Sequence, residues 1–181
     1  MVWRRATKQC GSLNVSTIST DALLAKASAA AGLHDFGDLP FRDALDRLVN
    51  AANTEARLSE SGAGRLEASL VGYLVNRLKI VDYLKQHPEL LDAPVEKPLF
   101  VFGLPRTGTT MTINLLASDP ARRSYMRFEA LDTVPPTKAS GWSDDPRYLA
   151  EKGRLEMALK YMPDLAAIHF EDADDPSECQ F

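Results

Sequence analysis

The chain has 181 residues, of which 45% are hydrophobic and 25% are charged, and it carries a formal net charge of -4. That length suits one domain or one domain with an appendage, and the composition is ordinary for a soluble globular protein. The acidic balance argues against a nucleic-acid partner, and no apolar run reaches the ~18 residues of a membrane span.

Cysteine use indicates the compartment. The two cysteines, Cys10 and Cys179, are far apart, and the sequence has no CxxC pair. Zinc sites and disulfide frameworks are therefore not indicated, and free thiols in a reducing cytosol are the simplest interpretation. We therefore expect a cytoplasmic protein with no metal. Residues 1–20 lack the apolar segment of a signal peptide and are expected to form a disordered leader.

Residues 21–95 are predicted to form a helical N-terminal region. The first helix has Ser19, Thr20 or Asp21 as possible caps and Gly32 as its end. In the strongest helical segment, leucine recurs every four residues and a proline then prevents the helix from continuing; these residues are Leu66, Leu70, Leu74, Leu78 and Pro88.

The pattern changes in residues 96–181, which are predicted to be an α/β domain. The apolar run 99–102 is too short for a helix and has no alternation, which is typical of a strand buried in a parallel sheet. A helix is predicted after Gly108, and residues 124–130 are a second strand candidate. Two later helices are predicted where a capping aspartate precedes a proline, at Asp145–Pro146 and at Asp175–Pro176. The sheet would be preceded by the helical region and left incomplete at Phe181, so we expect the chain to be the truncated N-terminal part of a larger protein.

The turn between the first predicted strand and its helix reads "GLPRTGTT" from Gly103 to Thr110. It keeps both glycines and the hydroxyl of a phosphate-binding loop, at a helix N-terminus where backbone N–H groups attract anions. Arg106 adds a permanent charge with a planar fork of donors. Thr109 stands where nucleotide-hydrolysing loops carry lysine, so magnesium-dependent hydrolysis of a γ-phosphate fits poorly. A terminal 5'-phosphate carrying a small transferable group fits better.

The motif "PRTGTT" resembles the 5'-phosphosulfate-binding loop of sulfotransferases. The helical N-terminal region, "PLFVFGLPRTGTT", "LLASDP", the glutamate, prolines and "DPR" that follow, and the closing "HF…DADDPSEC" are similar to the bacterial branch of large soluble sulfotransferases. The resemblance covers roughly residues 36–181. It implies a P-loop fold in which a sulfuryl group passes from 3'-phosphoadenosine 5'-phosphosulfate (PAPS), as co-substrate, to an acceptor hydroxyl or amine.

The resemblance also implies roles for individual residues. Arg106 would neutralise charge on the departing 5'-phosphate, and Thr109 and Thr110 would bind that phosphate. The full set expected to bind the co-substrate is Gly103, Pro105, Arg106, Thr107, Gly108, Thr109 and Thr110. The family's 3'-phosphate site is expected beyond Phe181.

An acceptor needs a general base, and three alternatives stay open. Glu129 is favoured because it ends the second predicted strand, and strand ends face the ligand crevice in open α/β sheets. His169 is the second candidate, and a residue beyond the chain end is the third. The resemblance implies a small-molecule, lipid or sugar acceptor. The alternative function is a degenerate P-loop module, an inactive fragment or pseudoenzyme that binds a nucleotide or a partner.

Overall fold

The computed structural model describes residues 17–38, 40–104, 107–138, 141–168 and 171–176. The described elements are α1 (Thr20–Ala31), α2 (Pro40–Thr54), α3 (Glu60–Gln86), a 3₁₀ helix (Pro88–Asp92), α4 (Thr109–Ala117), α5 (Arg127–Leu131), α6 (Pro146–Tyr161) and α7 (Leu165–Ile168). Contacts divide the chain into two compact units, with the boundary between Val75 and Asn76 inside α3; residues 33–35 belong to the second unit. The predicted division into regions 21–95 and 96–181 stays a prediction.

The predicted helical character of the N-terminal half is confirmed in the first unit. Helix α1 ends where Gly32 turns into the left-handed conformation at φ 66° and donates its N–H to the Ser28 carbonyl. Helix α2 buries Leu45, Val49 and Ala52 along one face. These spacings place the apolar side chains of each helix together, which is what stabilises helices of this length.

The start of α1 is fixed by a side chain of α2. The Asn53 amide accepts the Ile18 N–H at 3.0 Å and donates to the Ile18 carbonyl at 2.8 Å, and Ile18 is buried. Residues 17–20 fall in the predicted leader, 1–20; of these, Ile18 is buried and Thr20 begins α1. Residues 1–16 lie outside the described part of the chain.

Helix α3 follows the predicted leucine repeat. Leu70, Leu74 and Leu78 are buried, and the helix ends at Gln86, two residues before Pro88, as predicted. Proline lacks the N–H that would continue the ladder, and here it begins the 3₁₀ turn instead.

The second unit has a small aromatic core where α5, α6 and residues 171–176 meet. Five buried residues form it, and Trp142 packs against them; they are Met126, Phe128, Tyr148, Leu155 and Ala173. The Phe128 and Tyr148 rings pack edge to face at a centroid distance of 5.9 Å. The Arg147 guanidinium lies 5.8 Å from the Phe128 ring centre, which adds a cation–π contact.

Both strand predictions are wrong for the residues that the structure describes, in which no β-strand occurs. Residues 99–102 are irregular, and Phe100 and Phe102 are 77% and 90% exposed. A strand exists only when its N–H and C=O groups pair with a neighbour, and the described residues offer none. The second candidate, 124–130, instead leads into α5.

Exposure predicts opposite outcomes for substitutions of the same residue type. We expect the double change Phe100→Ser and Phe102→Ser to alter the free energy of unfolding by no more than about 0.5 kcal/mol, because both rings are exposed. It should also reduce self-association, because an exposed apolar patch favours aggregation. Phe128→Ala should cost about 3–5 kcal/mol because Phe128 is 2% exposed. Denaturant unfolding measures the stability of the variants, and light scattering measures their self-association. Equal destabilisation by the double change and by Phe128→Ala would contradict the exposure of Phe100 and Phe102.

Candidate functional site

The glycine turn before α4 folds back on itself. The Thr107 hydroxyl donates to the Leu104 carbonyl at 2.7 Å. A Cβ atom on Gly103 would lie 2.9 Å from that hydroxyl oxygen and 3.3 Å from the Thr109 methyl group. Only glycine fits at position 103 without displacing its neighbours. Gly108 has φ 90° and ψ 25°, a left-handed conformation that L side chains rarely adopt. Pro105 and Arg106 lie outside the described residues.

Helix α4 begins directly at this turn, as predicted. Gly108 precedes its first residue and has no side chain with which to cap it, and the first turn carries no acidic residue. The Thr112 N–H and hydroxyl both bond to the Gly108 carbonyl at 3.0 Å, which closes the first helical turn. The half-buried Thr109 and Thr110 therefore lie at the positive end of a nine-residue helix, an arrangement suited to an anion.

Glu129 lies within α5 and not at the end of a strand, which corrects its predicted setting. It is 4% exposed, and one carboxylate oxygen accepts the Met126 N–H at 3.0 Å in a capping-box arrangement. The other oxygen forms an ion pair with Arg123, and the Tyr125 hydroxyl donates to the Glu129 carbonyl at 3.0 Å. Both carboxylate oxygens of Glu129 are therefore engaged.

Helix α5 is held at its C-terminal end by α3. The buried Asn76 amide donates to the Ala130 carbonyl at 3.0 Å and accepts the Thr133 N–H at 2.9 Å. Lys79, one turn further along, pairs with Asp132 at 2.9 Å. Sequence reasoning missed Asn76, although an asparagine between two leucines of the repeat, Leu74 and Leu78, is a signal of a buried hydrogen-bonding role.

The segment after α5 is held from the other side by Arg147. Its guanidinium donates to the Asp132 carbonyl at 2.7 Å and to the Pro135 carbonyl at 2.8 Å. Asp145 caps α6 as predicted, accepting the Arg147 N–H at 2.9 Å, and its carboxylate pairs with the Arg147 guanidinium at 2.6 Å. That side-chain bond lowers the pKa of Asp145 and raises that of Arg147. Arg147 thus joins the α6 N-terminus to residues 132–135.

Four alternating charges join α5, α6 and the segment that follows α7. Arg127 lies 2.9 Å from buried Glu151 and 3.4 Å from Glu171; Arg154 lies 2.7 Å and 3.8 Å from the same two carboxylates. Burial raises the pKa of Glu151, but the bonds and charges of Arg154 and Arg127 outweigh it, and the net pKa is lowered. The buried carboxylate is therefore compensated as an anion.

Residues 171–176 are tied to α6 at a second point. Asp174 accepts the Tyr148 hydroxyl and lies 3.6 Å from Lys152, while Ala173 is buried in the aromatic core. His169, the second predicted base, lies just before this segment and outside the described residues. The helix predicted to begin at Pro176 also falls mostly outside them.

Within the part of the chain that the structure describes, no cluster of three His, Cys, Asp or Glu side chains has the arrangement of a metal site. None of its helices combines the length and the apolar character that crossing a membrane requires.

Comparison with known proteins identifies the family. Residues 98–181 match the model of the sulfotransferase family. The crystal structure of sulfotransferase STF1 from Mycobacterium tuberculosis H37Rv is similar at a TM-score of 0.78 and 33% identity, covering 91% of this chain and 46% of that chain. Sulfotransferase STF9 from Mycobacterium avium is similar at a TM-score of 0.78 and 34% identity, covering 92% of this chain and 43% of that chain. No curated protein sequence matches the chain.

The chain therefore belongs to the sulfotransferase family, as its loop motif predicted. Within that family it is similar to the two mycobacterial sulfotransferases, and it spans less than half the length of either structure.

The charged contacts of Glu151 predict a pH dependence of stability. Its pKa in the folded chain is lowered from the ordinary 4.5. The resulting stabilisation is present above that value and is lost as pH falls through the folded pKa. We expect Glu151→Gln to flatten the acid-side decline in the free energy of unfolding that the parent shows. Glu156→Gln, at an exposed position of the same helix, is the control and should leave the decline unchanged. Denaturant titrations between neutral and acid pH measure both, and identical curves for Glu151→Gln and the parent would contradict the role.

Proposed function

We propose that the protein containing this chain transfers the sulfuryl group of PAPS to an acceptor hydroxyl or amine. The observation that carries the proposal is the turn at residues 103–109, where only glycine fits at position 103 and an uncapped helix N-terminus follows. Such a turn directs backbone N–H groups at a phosphate. Membership of the sulfotransferase family supplies the reaction class.

In the proposed complex the loop binds the 5'-phosphate that carries the sulfuryl group. The threonine hydroxyls and the first-turn N–H groups of α4 donate to its oxygens, and Arg106 places a permanent charge beside the bridging oxygen. As the sulfur–oxygen bond breaks, negative charge grows on that oxygen. Donors already aimed at it lower the barrier because they need no reorganisation during the step.

The transfer itself is an in-line displacement at sulfur. The acceptor oxygen or nitrogen bonds to sulfur, the bond from sulfur to the 5'-phosphate breaks, and adenosine 3',5'-bisphosphate leaves with the electron pair. The acceptor proton passes to a base. Acceptors of small-molecule, lipid or sugar type and a cytoplasmic location remain part of this proposal.

Glu129 and His169 are the proposed bases. Glu129 combines burial with a fixed position, and both help a base to act in one geometry. One oxygen of Glu129 already accepts the Met126 N–H and the other contacts Arg123. The Arg123 guanidinium therefore has to release its Glu129 oxygen before that oxygen can take a proton. His169 is the alternative base if Arg123 does not release it.

A binding module without turnover is the second candidate function. The observation that favours it is the same engagement of the Glu129 carboxylate, which leaves the chain without an evidently free acid at this position. A parent protein that binds adenosine 3',5'-bisphosphate but never transfers a sulfuryl group would support the module and contradict the transferase.

Arg106→Ala tests the transition-state role of the loop. We expect turnover to fall by about 100-fold or more, with a smaller loss of PAPS affinity, because the Arg106 charge matters most as the leaving oxygen becomes negative. Single-turnover kinetics and equilibrium binding in the full-length protein separate the two quantities. Arg122→Ala, another arginine of the same unit, is the control. Unchanged turnover in Arg106→Ala would contradict the role.

Glu129→Gln and His169→Ala test the base. Glu129→Gln keeps the side-chain shape and an acceptor for the Met126 N–H but removes the proton acceptor. We expect a rate loss on the order of 10²–10⁴-fold if Glu129 is the base. Single-turnover sulfuryl transfer by the full-length variants measures it. If Glu129→Gln keeps its rate and His169→Ala loses it, Glu129 is excluded and His169 takes the role.

A further inference from the structure

The Arg123–Glu129 ion pair is strongly asymmetric. The Glu129 side chain is 5% exposed, whereas the Arg123 side chain is 62% exposed. By contrast, the pair between Arg47 and Asp43 on α2 has both partners in solvent, at 80% and 73% exposure. Exposed pairs of that kind fix neither side chain, because the gain barely offsets the rotamer entropy lost. The Arg123–Glu129 pair differs from such pairs because one of its two partners is buried.

The position of Arg123 is set by an acceptor that does not move freely. Glu129 is held by the Met126 N–H and by its place in α5, and α5 in turn is held by Asn76 at the other end. A buried carboxylate strongly favours keeping its cation, because an unpaired buried charge is costly. One edge of the Arg123 guanidinium is thus anchored below the surface while its side chain remains mostly in solvent.

An anchored and exposed guanidinium is suited to bind an oxyanion. The contact with Glu129 uses Nη2, and arginine has five N–H donors in a rigid fork. Fixing the fork beforehand reduces the entropy lost when a ligand binds. Arg154 shows the contrasting case, because its Nε and Nη2 both bond to Glu151 at 2.8 Å and 2.7 Å.

We propose that Arg123 is an oxyanion-binding residue, which bonds a phosphate or sulfate group through the donors that Glu129 does not use. The group belongs either to the sulfuryl donor or to an acidic acceptor. The donor version rests on the proposed function, whereas the binding of an oxyanion does not. The assignment holds whether or not Glu129 is also the base, because binding is measured without turnover.

The experiment compares Arg123→Gln with its neighbour Arg122→Gln. Arg122 is 47% exposed and pairs with Asp119, which is itself 48% exposed, so it offers the same charge without a buried anchor. The probes are adenosine 3',5'-bisphosphate and inorganic sulfate, titrated by calorimetry into the full-length protein. We expect Arg123→Gln to weaken binding about 10- to 100-fold, as for one or two bonds to a charged group, and Arg122→Gln to weaken it less than about 3-fold.

The outcomes separate the two sources of the anion and the two proposals. Weaker binding of the bisphosphate assigns Arg123 to the donor, and weaker binding of sulfate alone assigns it to an anion on the acceptor side. A parent protein that binds sulfate but not the bisphosphate contradicts the proposed transferase and leaves the proposed role of Arg123 uncontradicted. Unchanged binding of both probes in Arg123→Gln overturns the inference.

Two further variants guard against loss of folding. Arg123→Lys keeps the charge beside Glu129 and removes only the fork, so it should show an intermediate affinity. The double variant Arg123→Gln with Glu129→Gln leaves a neutral pair with no buried charge, and it should fold and still bind the anion as weakly as Arg123→Gln. Recovery of parental affinity in the double variant would also overturn the inference.

Discussion

The second unit depends on the compensation of two buried carboxylates, Glu129 and Glu151. Helix α5 has five residues and the segment 171–176 has no regular structure, so neither is stable by its own backbone bonds. Each is attached to α6 or α3 by arginines, an asparagine and a few aromatic contacts. Such attachments tolerate little change, because removal of one partner leaves a buried charge or an unpaired polar group. The same constraint gives Arg123 its fixed position.

The phosphate-binding turn is stabilised in a different way. In its described residues, Gly103 packs under Thr107, Gly108 has a left-handed conformation and α4 begins at once. Each of these features involves only residues that are close along the chain. A motif of this kind can therefore be identified from sequence even where the surrounding fold cannot. Each of its residue types meets a steric or electrostatic requirement that is set within a stretch of eight residues.

Features that depend on contacts close along the chain could be predicted from sequence, and features that depend on distant contacts could not. The leucine repeat of α3, the Gly32 end of α1 and the Asp145–Pro146 start of α6 depend on neighbours along one helix, and all three are confirmed. The two strand predictions failed because a strand is defined by a partner, which periodicity does not supply. The prediction that Glu129 lies at the end of a strand was wrong for the same reason. Its actual contacts come from Arg123 and Met126 through a turn that no apolar pattern marks.

The charges of this unit also bear on the proposal that Glu129 is the base. A base needs an oxygen that is free at the moment of transfer, whereas a buried carboxylate needs a cation while the site is empty. An anchored but exposed arginine can satisfy both conditions, because an arriving oxyanion bonds the donors that Glu129 does not use and weakens the Arg123–Glu129 bond. Under the two proposals, the ligand that the reaction requires also releases the base, so sulfuryl transfer is coupled to donor binding through a single guanidinium.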